Sequence, residues 1–107
     1  MAYYLFQGAY TPEALATLIK KPQDRIEIVR KVVENLGGPV HGGWFCFGEY
    51  DVVLVSELPD NVTAAAFAVA AAAGGGLKGN KTTPLFSPEE MVQIFKTAGK
   101  AGYRPPK

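Results

Sequence analysis

The only histidine, tryptophan and cysteine of the 107-residue chain all fall within HGGWFCFGEYDVV, residues 41–53. His41 could act as a general base or as an axial ligand to a metal or haem iron. An unperturbed imidazole titrates near about pH 6.5, which suits proton transfer. Tyr50 could donate a hydrogen bond to a ligand, and Asp51 could serve as a base or orient one. Trp44 and Tyr4 add aromatic surface for an apolar ligand, and Tyr3 and Tyr10 could line the same cavity. Each residue also has a plain structural use. His41 could be a satisfied strand-end histidine, and Asp51 could bond turn N–H groups. Tyr50 could pack with its hydroxyl at the sheet rim. No second donor stands at metal-ligand spacing from His41. Cys46, between Phe45 and Phe47, reads as a buried, inert thiol.

The elements that must hold these residues are two strands, 40–47 and 50–58, around a two-residue Gly48-Glu49 turn. By strict alternation His41, Gly43, Phe45 and Phe47 share one face, and Trp44 and Cys46 the other. A bulge at Gly42-Gly43 would break that count. The paired glycines leave room near the backbone, for a ligand or for a neighbouring aromatic.

Residues 3–10 read as a first strand, apolar on both faces and so buried on both. Thr11-Pro12-Glu13 is a capped helix start, and Pro22 interrupts that helix. A second helical piece carries Ile26, Val29, Val33 and Leu36 on one face, with Ile28 and Val32 beside it. Gly37-Gly38-Pro39 stops it. Pro59-Asp60-Asn61 opens an alanine-rich helix over 62–73, whose small side chains should let its backbone lie close to what it covers. Gly74 to Gly76 end it. Residues 78–86 form a fourth strand, and Pro84 places that strand at a sheet edge or bulge. Ser87-Pro88-Glu89-Glu90 starts a short helix with Met91, Ile94 and Phe95 on its apolar side. The expected organisation is a domain over 1–98 and an extended or disordered Gly/Pro/Lys tail over 99–107.

Composition narrows the function classes. A net charge of +1 supplies no field for nucleic acid or an anionic membrane. HGGWFCF has aromatics like those of an RNA-binding strand, but its first residue is not basic and it precedes the hairpin. Gly74 to Gly76 follow a helix, so they meet the negative end of its dipole and make a poor phosphate loop. One cysteine forms no internal disulfide, which fits a reducing compartment. MAYYLFQGAY has no basic n-region, and the longest apolar run is about half the roughly 20 residues that cross a bilayer. The expectation is a cytoplasmic protein with no nucleic-acid or membrane partner.

The order β-α-β-β-α-β plus a terminal helix is the split βαβ pattern. It gives an α+β, ferredoxin-like antiparallel sheet with helices on one face. The opposite face is apolar too, with a footprint of roughly 400 Å² for four strands of about six residues. Exposed apolar patches of that size mark interfaces, so a homodimer with sheets packed face to face is expected.

With Gly48-x-Tyr50-Asp51 leading into Val52-Val53-Leu54-Val55, Leu36-Gly37-Gly38 before it, Arg25 in the helical region and Pro59-Asp60 after it, the chain resembles the GYD domain proteins. These are small bacterial and archaeal proteins grouped with the dimeric α/β-barrel superfamily. The resemblance covers about residues 3–95. It implies a ferredoxin-like fold and a dimer formed through the sheet, but no particular activity or cofactor, because fold alone does not transfer function. The first expectation is a homo-oligomeric small-ligand-binding or stress-associated module holding a small, mainly apolar ligand. Residues His41, Trp44, Tyr50, Asp51 and Tyr4 would line the site. The alternatives are a cofactor-poor monooxygenase- or isomerase-like enzyme using His41 or Tyr50, and haem or metal binding through His41.

Overall fold

A computed structural model describes residues 1–106. Its elements run β1 (Ala2–Tyr10), α1 (Pro12–Lys20), α2 (Arg25–Asn35), β2 (Val40–Phe45), β3 (Val52–Leu58), α3 (Asn61–Ala73), β4 (Leu77–Leu85) and α4 (Pro88–Gly99). Each helix starts where a short polar side chain takes up otherwise orphaned N–H groups. Thr11 Oγ1 accepts from Ala14 N, Asp24 Oδ1 from Ile26 and Glu27 N, and Asp60 Oδ1 from Thr63 N. Ser87 and Glu90 form a reciprocal capping box. Pro12 and Pro88 occupy first-turn positions, where a missing N–H costs nothing. Pro22 lies between α1 and α2, the expected interruption.

The strands form one antiparallel sheet in the order β2-β3-β1-β4, a ferredoxin-like arrangement. β4 is an edge strand, so Pro84 removes no ladder bond that the sheet interior needs. Tyr4, Phe6, Leu54 and Leu58 on one sheet face pack with Val33 of α2 and with Ala64 and Phe67 of α3. Phe67 meets Phe6 edge to face, ring centroids 4.7 Å apart. Ile26, Val29 and Leu36 complete the expected face of α2.

Three expectations are corrected. β1 is not buried on both sides: Tyr4, Phe6 and Gly8 are buried, while Tyr3 is exposed and Leu5 and Gln7 are half-buried. The link from β2 to β3 is not a two-residue turn but a wider loop over residues 46–51, closed by Cys46 N–H donating to the Asp51 carbonyl at 2.8 Å. The reason is long-range. The Asp51 N–H donates to the Gly8 carbonyl, and its Oδ2 accepts from Tyr10 N, both at 2.8 Å, so residue 51 is held by β1. Gly48 sits in the left-handed region at φ 125°, where glycine alone is unstrained. Cys46, third, is exposed rather than buried, its Sγ donating to the Tyr50 carbonyl at 3.2 Å, because Phe47 turns outward and is 98% exposed.

No helix among the described residues is long and apolar enough to cross a membrane. α4 ends at Gly99, and residues 101–106 have no regular secondary structure; Lys107 of the expected 99–107 tail lies outside the described residues.

Candidate functional site

The open face of the sheet, the one opposite α2 and α3, is shaped by a bulge in β2. Val40 stands opposite Ser56 and Gly42 opposite Val55, so His41 is the extra residue. The bulge resets the alternation and brings His41 and Trp44 onto the same face, where strict alternation had separated them. The glycines are there for packing. A Cβ on Gly42 would stand 2.5 Å from the Trp44 ring, and one on Gly43 would stand 2.8 Å from Ile26 and 2.9 Å from Leu54.

On this open face His41 Nε2 lies 2.8 Å from Glu57 Oε2, and the imidazole stacks on Tyr3 with centroids 5.1 Å apart and planes 9° apart. Both partners are partly open to water, His41 at 41% and Glu57 at 21%. Such pairs contribute little when screened by solvent. Around them Leu5, Val53, Val55 and Leu85 present apolar, half-buried side chains. Two of a metal's donors are present in His41 and Glu57. Among the described residues, no group of three or more His, Cys, Asp or Glu side chains could hold an ion.

The other expected site residues lie elsewhere. Tyr4 is under the helices, its hydroxyl donating to Asn61 Oδ1 at 2.7 Å. Burial raises its pKa above the usual tyrosine range, and the Asp60 carboxylate adds to that. Asp51 ties the end of β3 to β1, and Tyr50, half-buried, belongs to the adjoining loop. The structure therefore puts His41 and Trp44 on one face, keeps Tyr50 and Asp51 together at the β2–β3 loop, and leaves Tyr4 on the far side of the sheet.

None of the five lines the main cavity. That cavity, of about 400 Å³, lies between the helices and the sheet. Its floor is Phe6, Gly8, Val52 and Leu54; Val29 and Val32 of α2 and Phe67, Ala68 and Ala71 of α3 make the walls. The space follows from side-chain size. α3 turns Ala64, Phe67, Ala68 and Ala71 inward at helical spacing. The small residues let α3 lie close to β4, where Asn80 Nδ2 donates to the Ala68 carbonyl at 3.1 Å, but beyond Phe67 its alanines are too short to meet the valines of α2, and a gap remains on that side. Polar side chains also line the space: Tyr10 and Arg25, together with Gln7, Asn80, Lys81 and Thr82. Tyr10, whose hydroxyl pKa is raised chiefly by burial, lies within the influence of Arg25 and Asp51. Arg25 makes no ion pair among the described residues and reaches only Gln23, at 3.4 Å. The run of alanines on α3 is the one local feature that permits this cavity, and it permits close packing equally.

No curated protein is significantly similar to the chain. The family model described as the GYD domain matches residues 4–95.

Proposed function

The chain belongs to the GYD domain family, and from that premise we propose that it is a homodimeric small-ligand-binding module, with one ligand held between the helices and the sheet of each copy. The observation that carries the reading is the cavity of about 400 Å³. Its size falls in the range of small-molecule sites, roughly 300 to 1,000 Å³, and such sites are mostly apolar with a few placed polar groups. Here the apolar walls would take a hydrocarbon or aromatic body. The Tyr10 hydroxyl and the Arg25 guanidinium would take a hydrogen-bonding or anionic end.

The dimer part of the reading is supported by the second face of the sheet. Tyr3 and Trp44 are exposed there, and Leu5, Val53, Val55 and Leu85 are only half-buried. A second copy packed on that face would remove them from water, at about 25 cal/mol per Å² of apolar surface before association costs. His41, Glu57 and Tyr3 would then sit in the interface, and the ligand on the other side of the sheet.

Native mass spectrometry of protein purified from its own host tests both parts. The expected result is a dimer carrying one small mass per chain. A bare monomer at micromolar concentration would contradict the reading.

A further inference from the structure

The C-terminal helix is only loosely seated on its own chain: Met91 and Ile94 are half-buried and no residue is fully buried. Its local signals are complete: a capping box, a proline in the first turn, Glu89 and Glu90 at the positive end and Lys96 in the last turn. They build an amphipathic helix with Met91, Ile94, Phe95 and Ala98 at helical spacing on one side and Val92 beside them. Yet α4 buries no residue, Phe95 is 64% and Val92 is 49% exposed, and no other element packs extensively against it. At 12 residues it is near the length below which an isolated helix is marginal in water. The chain is elongated to match. Its radius of gyration is 17.0 Å, against about 13 Å for a compact chain of this length. An element standing off the body has this effect.

We propose that α4 is an exchanged arm: each copy lays the Met91–Phe95 side of its α4 on the other copy and so completes the homodimer. The inference rests on the sheet-face dimer proposed above and adds the element that finishes it. Two observations point to a second copy. The first is position. α4 begins at Pro88, three residues after Leu85, and Leu85 pairs with Tyr3 on the open face. A helix that starts at the border of that face meets whatever covers it.

The second is area. The sheet face offers roughly 400 Å² per copy, about 800 Å² for a pair, which is no more than a crystal contact buries. The side of a 12-residue helix is about 18 Å long and 10 Å wide. Two such sides and the surfaces they cover add roughly 700 Å². The sum, about 1,500 Å², is a stable interface of standard size. In a two-fold dimer both arms make the same contact.

The test is sedimentation velocity across a concentration series of the full chain, wild type and with Phe95→Asp, Val92→Asp or Val55→Asp. Far-UV circular dichroism checks that each variant is folded. Phe95 and Val92 contribute nothing to the core of their own copy, so both variants should fold. The expected result is a wild-type dimer whose dissociation constant rises at least tenfold in each α4 variant and in Val55→Asp. If Val55→Asp dissociates the dimer while both α4 variants keep the wild-type constant, the exchanged arm is overturned and the sheet-face dimer stands. α4 then serves its own chain or a different protein. A wild-type monomer at 100 μM, or a dimer indifferent to all three changes, overturns the sheet-face reading and the arm with it.

Discussion

His41 Nε2 and Glu57 Oε2 stand 2.8 Å apart on the open face of the sheet, with the Tyr3 ring stacked on the imidazole. The pair is open to water in the single chain, so it contributes little there. His41→Ala should cost under about 1 kcal/mol in urea unfolding at concentrations where the chain is monomeric. In the proposed dimer the pair would be desolvated, so the same change should cost more at concentrations where that dimer forms. An equal small loss at both concentrations would place the pair outside the interface.

The two adjoining glycines should respond differently to alanine. At Gly42 the added carbon meets the far edge of the Trp44 ring, which is free to swing into solvent. Gly42→Ala should shift the emission of the only tryptophan while changing stability by less than about 1 kcal/mol. At Gly43 the carbon meets Ile26 and Leu54, which are packed. Gly43→Ala should cost about 1 to 3 kcal/mol, as overpacked cores do. Chemical denaturation with tryptophan fluorescence reads both.

Ser56 is fully buried, and among the described residues its hydroxyl has no hydrogen-bond partner. An unpaired buried hydroxyl costs free energy. Ser56→Ala should therefore be neutral or stabilise the fold, by up to about 1 kcal/mol. A clear loss of stability would reveal a partner for that hydroxyl. Tyr4→Phe, by contrast, removes a made bond to Asn61 and should cost about 1 kcal/mol.

Acid stability should depend on Asp60. Its pKa is lowered by the Thr63 N–H and then by the Thr63 hydroxyl. A carboxylate with a depressed folded pKa contributes stability that is present above its unfolded value of 3.8 and is lost as pH falls through the folded value. Asp60→Asn keeps a capping oxygen without the charge. The variant should lose less stability than wild type between pH 5 and the acid end of a denaturation series.

What the sequence made legible was what local chemistry decides. Caps at Thr11, Asp60 and Ser87, the break at Pro22 and the edge position of Pro84 each depend on a few neighbouring residues, and together they fix the element order. The site depended on contacts across the chain. Asp51 opens the β2–β3 loop because Gly8 and Tyr10 hold it, and neither is near it in sequence. One extra residue at His41 moves a side chain to the other face of the sheet, and a Gly-Gly pair permits such a bulge without dictating it. The cavity arose from the distance between α2 and α3, which no single helix pattern contains. Small residues on α3 were as consistent with close packing as with a gap.

The most direct test of a ligand site in that gap is to fill it. Ala71 lines the cavity on α3, and Ala71→Phe would occupy much of it. Titration with 1-anilinonaphthalene-8-sulfonate, an apolar body with an anionic end, supplies the readout through its fluorescence. Saturable binding at about one probe per chain is expected in wild type and at least tenfold weaker binding in Ala71→Phe, with sedimentation unchanged. Equal binding by both proteins would contradict the ligand site, as would a wild type that takes up no probe.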